Sequence, residues 1–235
     1  MNLTEGTGRE KEIYAARFSA AENTLREACW RVLCSDFFQP FIRPEDTVVD
    51  LGAGDGLFLR NIHAARRVAV DLSEHARGLR EFGIQVVQVS ATEFTREFSD
   101  KTDVIFASNF FEHLPDKRSV VLVLEECRRS LKPGGLILIL QPNIRYAGAA
   151  YWDFLDHHIA LTDRSLVEAL RATGYEVVRV IPRFMPYTSK LTFWQVLPAG
   201  LISVLMKIYL HCPFLWRWFG QQSFIAARTS QAELP

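Results

Sequence analysis

Between Thr47 and Gly56 the chain reads TVVDLGAGDG, an apolar run that ends in an acid, Asp50, and turns through Gly52, Gly54 and Gly56 alternating with Ala53 and Asp55. Glycines at the carboxyl end of a strand let a ligand lie against bare backbone, where a Cβ would collide with it. That end of an open α/β sheet is also where ligands bind. A second acid, Asp71, closes the next apolar run, Arg67 to Val70. A carboxylate at the end of strand two is placed to accept both hydrogens of a ribose diol. Asp50 beside the turn repels a pyrophosphate and suits a cationic, amine-bearing ligand. The dinucleotide fingerprint GxGxxG needs glycine at position 57, which is Leu57. These residues favour an adenosyl-sulfonium amino acid over a nicotinamide dinucleotide, and so speak against a dehydrogenase.

A second group that could do chemistry lies in YWDFLDHHIALTD: Asp153, Asp156, His157 and His158. Histidine titrates near neutrality and is a natural general base for a hydroxyl or amine. His157 is preferred over His158, because Asp153 at i−4 orients it if the segment is helical. The competing reading is that this cluster only ties a loop to the sheet or caps the helix that starts at Thr162. Glu112–His113, in SNFFEHLPD, has the composition of an acid/base pair and reads rather as a packing and hydrogen-bonding unit beneath the cofactor.

The elements that must carry these residues follow from periodicity. Apolar residues at Tyr14, Phe18, Ala21, Leu25, Ala28 and Val32 give one helical face between Glu10 and Phe38. Strands are expected at Thr47–Leu51, Arg67–Val70, Ile84–Val89, Asp103–Ala107, Gly135–Leu140, Tyr175–Ile181 and Ser223–Arg228. Helices are expected at Leu57–Ala64, from a Ser73 cap to Phe82, over Val120–Leu131, and from a cap at Thr162 or Asp163 to Gly174. LKPGG reads as a turn. Continuous apolar strands alternating with amphipathic helices imply a sheet covered on both faces. With right-handed crossovers this is an α/β, doubly wound, Rossmann-like sandwich with a mostly parallel seven-stranded sheet. An N-terminal tail and helical cap (1–44) precedes the main domain (45–235). That domain carries an apolar helical insertion, 182–222, before the last strand.

Over roughly residues 45–181 the chain resembles the class I S-adenosylmethionine-dependent methyltransferases, in particular the type 11 branch. VVDLGAGDG resembles the family's first motif and VAVDLS its second; SNFFEHLPD resembles the motif after strand four, and LKPGGLILILQPN the turn and strand five. The resemblance implies that Gly52, Ala53 and Gly54 pass beneath the methionine part of S-adenosylmethionine, with Asp50 near its amino group. It places Asp71 on the ribose hydroxyls, Leu72 against the adenine, and Ala91 and Thr92 where the family contacts the adenine. Ser108, Asn109 and Phe110 would line the methyl-donor side. A related ubiquinone-type branch binds a divalent metal with ExxEH; here Asn109 replaces the first Glu, so no metal site is assigned.

The bulk properties set the partners. The chain has 235 residues, 49% of them apolar, and a formal net charge of zero, which supports a large core and gives no field to recruit nucleic acid. Its four cysteines show no CxxC spacing, so neither a disulfide framework nor a zinc site is expected. The polar opening MNLTEGTGREKE shows no signal-peptide pattern, and a cytoplasmic enzyme is expected. In the insertion, the helix near Ala199–His211 is interrupted by Pro198 and Pro213 and is too short to span a bilayer, which takes ~20 apolar residues. It reads as a core helix, a lid over the acceptor, or a peripheral contact of 193–219 with the inner face of the membrane. Similar tails occur in methyltransferases of bacterial surface glycan and lipid pathways. The expectation is methyl transfer to a hydroxyl, less readily an amine, of a small or lipid- or glycan-type acceptor, with His157, His158 and Asp156 as catalytic candidates. The alternative is a non-catalytic cofactor-binding subunit that docks a partner or membrane.

Overall fold

The computed structural model describes residues 20–98, 101–186 and 197–229. The expected tail, with Tyr14 and Phe18 of the expected helical face, lies outside them. The chain enters through helix α1 (Ala20–Leu33), a π-helical turn (Cys34–Phe38) and a 3-10 turn (Gln39–Phe41). It then builds one seven-stranded sheet in the order β3-β2-β1-β4-β5-β7-β6. The strands are β1 (Thr47–Leu51), β2 (Arg66–Val70), β3 (Gln85–Val87), β4 (Thr102–Ser108), β5 (Leu131–Pro142), β6 (Tyr175–Ile181) and β7 (Gln222–Thr229). The first five pair in parallel, and β7 runs antiparallel between β5 and β6.

The period of two along each strand sorts its residues onto two cores. On β4, Phe106 joins a core with Phe38, Phe58, Phe184 and Phe224, whereas Ile105 faces Val123, Leu124, Leu166 and Leu170. β5 divides in the same way, with Leu138 and Leu140 against Ile137 and Ile139. This two-sided burial is why the central strands read as unbroken apolar runs. Short helices α3 (Thr95–Phe98) and α5 (Ile144–Ala147) lie in the connections after β3 and β5, and the second core is closed by α4 (Lys117–Ser130) and α6 (Asp163–Ala172). Asp116 caps α4 by accepting from Ser119 N, and Thr162 and Ser165 form a reciprocal capping box on α6.

Several expected elements differ. Crossover helix α2 spans Leu57–Asn61, not to Ala64, because Ile62 is extended and buried. The segment expected as a helix after Ser73 is 3-10 over Glu74–Phe82. The Ser73 side chain makes no cap there; the Asp71 carboxylate accepts from Ser73 N instead. LKPGG is not an isolated turn. Leu131 already pairs with Thr102, and pairing resumes at Leu136↔Val104 after a register shift. Gly135 is packed so tightly there that a Cβ would lie 2.9 Å from Lys132 O.

The insertion contains α7 (Ala199–His211) and α8 (Pro213–Phe219), bounded by Pro198 and Pro213 as the sequence implies. Ile202, Met206, Leu210 and Trp216 face inward and belong to the first core. Phe37 of the entry segment stacks on Phe184 at 4.2 Å and meets Phe224 of β7 at 4.8 Å. Among the described residues no single helix is long and apolar enough to cross a membrane.

Candidate functional site

The sheet order puts the carboxyl ends of β2, β1 and β4 side by side. The β1 turn comes first. Gly52, Gly54 and Gly56 all have positive φ, of 67°, 51° and 66°. Two of them have a second reason to be glycine. A Cβ on Gly52 would lie 2.7 Å from the Phe110 ring, and one on Gly56 would lie 2.5 Å from Leu79. Gly52 therefore joins the turn to the segment after β4, and Gly56 lets the Leu79 segment close on the sheet. Asp71 ties the turn to β2: its carboxylate accepts from Gly54 N at 2.9 Å and from Ser73 N at 2.7 Å.

Asp50 is 4% exposed, and its carboxyl is pushed well above the ordinary carboxylate range by burial, then by the Asp71 charge. A buried acid held this way is poised to meet a cation. Next to Asp71, Leu72 is 47% exposed, an apolar side chain left open where a flat ring can cover it. Ala91 packs against the second core, and Thr92 and Ser90 share a hydrogen bond between their hydroxyls at 2.8 Å. Asn109, after Ser108, has φ of +48° and is the one non-glycine with positive φ among the described residues. Its N–H donates to Leu140 O at 2.9 Å. Strained backbone of this kind gathers at functional sites.

One further contact was not legible. Asp55, in the turn, pairs with Arg26 of α1 at 2.8 Å and with His75 Nε2 at 3.0 Å. The N-terminal helix is thus fastened to the turn from the solvent side.

Beyond Phe110 the structure assembles a second cluster. Glu112 is fully buried and its carboxyl is raised, mainly by burial. Gln141 Nε2 of β5 donates to its Oε2 at 2.8 Å. The 143–162 loop is stitched beneath it, with His158 N and Ile159 N donating to Glu112 O. His113 Nδ1 lies 2.9 Å from Asp156 O. A carbonyl only accepts, so Nδ1 carries the proton and Nε2 of the neutral ring keeps the lone pair. Nε2 is 3.9 Å from Glu112 Oε1, and the His113 side chain is 30% exposed.

The loop histidines fall differently from expectation. His157 is buried, its Nε2 4.0 Å from Glu112 Oε1 and its ring against His113, Tyr151 and Phe154. The segment around it is bends and turns rather than helix, so Asp153 does not sit one helical turn before it. His158 is exposed, and Asp156 serves His113. Of the cluster's histidines the one both held and open is His113, which the sequence suggested as a packing and hydrogen-bonding residue. Its signal was present, an acid–histidine pair after strand four, but its partner Asp156 lies 43 residues on. Glu112, His113 and His157 also present ligand atoms within 4.8 Å of one another, close enough to hold a metal ion, although no metal site is expected from the sequence.

A turn, two strand-end acids and a strained strand-four exit on a 3-2-1-4-5-7-6 sheet define a nucleoside-cofactor transferase fold. The methyltransferase domain family matches residues 23–180. The chain belongs to that family, and its motif order and sheet order are those of the class I S-adenosylmethionine-dependent methyltransferase fold. Among curated proteins it is similar to the ubiquinone biosynthesis O-methyltransferase of Aromatoleum aromaticum, 32% identical over 99 residues, covering 38% of this chain and 41% of that one. The same-named protein of Methylococcus capsulatus is 34% identical over 98 residues, covering 38% and 40%. The matched stretch is thus about two fifths of those relatives' length. A SAM-dependent methyltransferase structure from Archaeoglobus fulgidus superposes with a TM-score of 0.60 at 24% identity, covering 82% of this chain and 90% of that one.

Proposed function

We propose that this protein transfers a methyl group from S-adenosylmethionine to a hydroxyl of a small acceptor, with His113 as the general base. The observation that carries the reading is the convergence of Asp50, Asp71 and the Phe110 segment on one glycine turn. Gly54 N is bonded to Asp71 and Gly52 lies against Phe110. The cradle fits the cofactor, since the turn has no Cβ at Gly52 and Gly54, a buried acid faces it, and Leu72 stands open. When bound, S-adenosylmethionine supplies a methyl group activated on a sulfonium, which an acceptor oxygen takes in line with the departing sulfur.

The chain's residues divide the remaining work. Asp50 receives the amino group, which relieves its own desolvation. Asp71 accepts from the ribose hydroxyls through lone pairs left over from Gly54 and Ser73. Gly52, Ala53 and Gly54 carry the methionine chain, Leu72, Ala91 and Thr92 border the adenine, and Ser108, Asn109 and Phe110 border the methyl group. His113 Nε2 takes the hydroxyl proton as the new C–O bond forms. Asp156 fixes its tautomer, and buried Glu112 stabilises the imidazolium. His157 supports this pair from the core side, and exposed His158 is left without a catalytic part. The O-methyltransferase names of the relatives support oxygen as the acceptor atom; positioning supplies most of the rate, and the base adds ~10²–10⁴-fold.

A second reading has its own observation. The atoms of Glu112, His113 and His157 form a two-histidine, one-carboxylate set, and Glu112 Oε1 is buried without a hydrogen-bond partner. This donor set suits a borderline transition ion better than the all-oxygen shell of magnesium. The ion would occupy His113 Nε2 and displace the base, so the two readings exclude each other.

Calorimetry and a labelled-methyl assay on cell extract test both. S-adenosylmethionine is expected to bind at about 1–100 μM, with Asp71→Ala weakening it tenfold or more. His113→Gln is expected to keep binding and lose turnover. Absence of cofactor binding would remove the reading; binding without turnover on any acceptor would leave a non-catalytic subunit. Turnover abolished by EDTA and restored by zinc would select the metal.

A further inference from the structure

The insertion does more than fill the core. From Val177 to Ala232 the sequence holds Arg179, Arg183, Lys190, Lys207, Arg217 and Arg228 and no Asp or Glu. In a chain of zero net charge this stretch carries +6, and the remainder carries −6. Arg228 is neutralised by Glu176 at 2.8 Å, and Arg183 is turned inward to Gly220 O and Trp218 O. Lys207 and Arg217 are exposed, and neither has an ion pair among the described residues.

The outward side chains between these cations are apolar. The inward row of α7 is Ile202, Met206 and Leu210, and the row facing solvent is Leu201, Val204 and Ile208, 45–53% exposed. An ordinary surface helix would be polar there. After a bend of 102°, α8 exposes Phe214 at 63% and Trp218 at 77%. Buried Trp216 anchors α8, its Nε1 donating to Tyr209 O at 2.9 Å. The exposed face is therefore held rigidly outward.

We propose that this face, Ala199–Phe219, docks on an anionic lipid surface. Leu201, Val204, Ile208, Phe214 and Trp218 enter the acyl–headgroup boundary, and Lys207 and Arg217 meet the phosphates. Apolar side chains bordered by cations and a tryptophan are what that boundary accepts. A second copy of the chain fits less well, because symmetric pairing would set Lys207 and Arg217 against the same acid-free face. The inference does not depend on the methyl-transfer reading, since lipid partitioning is measured without cofactor or acceptor.

Flotation of the full chain with phosphatidylcholine vesicles, with and without about one third phosphatidylglycerol, tests it. Partitioning is expected only into the anionic vesicles and is lost in high salt. Each cation near such a surface contributes about fivefold, so Lys207→Gln with Arg217→Gln should weaken partitioning about 25-fold. Phe214→Ser with Trp218→Ser should abolish it. All four side chains point outward, so both double variants should keep the parent melting temperature. Equal flotation with neutral vesicles, or partitioning unchanged in a folded double variant, would overturn the proposal. A concentration-dependent dimer that fails to float would assign the face to a second copy and overturn it as well.

Discussion

Asp50, the residue proposed to receive the cofactor's amino group, is held at a cost to the empty fold. Burial and the Asp71 charge both raise its folded-state pKa above the ordinary value of 3.8. The sign of the linkage follows. Between the unfolded and the folded pKa the native state holds the proton more tightly, so the empty protein loses stability as pH rises through that window. A cationic amino group reverses the balance by stabilising the carboxylate. Asp50→Asn should therefore raise the cofactor-free melting temperature by a few degrees at neutral pH, at about 2–4 °C per kcal/mol for a chain of this length. The same substitution should weaken S-adenosylmethionine tenfold or more, the scale of one lost charge-assisted hydrogen bond, about 1.5–3 kcal/mol. Scanning calorimetry and titration calorimetry on one preparation read both changes; a variant that loses stability as well as affinity would show Asp50 to be structural.

At the scale of elements, α6 offers a direct check on local coding. Thr162 accepts from Ser165 N at 3.0 Å, while Ser165 Oγ accepts from Thr162 N at 2.9 Å. Thr162→Ala removes half of that box and should cost ~1 kcal/mol in urea unfolding with an unchanged m-value. Such signals are what the sequence carried well. The cap at Thr162, the stop at Gly174, β6 at Tyr175–Ile181 and the glycine turn all depend on neighbours within a few residues. The 3-10 course of Glu74–Phe82 was not legible, because Leu79 is drawn onto Gly56, a residue 23 positions earlier. Nor was the length of β5, whose first residue pairs across the LKPGG bulge. The His113 cluster was the least legible of all. Its parts lie in the post-β4 segment, in β5 and in the 143–162 loop, and strand order, the Glu112 backbone stitches and the Gln141 and Asp156 contacts bring them together. The Asp–His reading of that loop named Asp156 and His157 but could not see that Asp156 meets His113.

For the whole molecule, the question is whether the N-terminal segment and the insertion are attachments or parts of one body. Phe37 meets Phe184 and Trp216 of the insertion and Phe224 of β7 at 4.2, 6.5 and 4.8 Å, and Phe38 stands on Phe58 of α2 and Phe106 of β4 at 5.6 and 5.0 Å. A cap, a sheet and an insertion that share aromatic contacts this close must unfold together. The insertion is thus core on one side and apolar surface on the other, with both properties carried by the same two helices. Phe37→Ala should cost about 3–5 kcal/mol, the scale for truncating a buried aromatic, and lower the melting temperature by about 6–20 °C. The loss should appear in a single transition, with far-UV dichroism and tryptophan fluorescence coincident. Two separated transitions, with the tryptophan signal melting first, would mean that the insertion and the entry segment fold apart from the sheet.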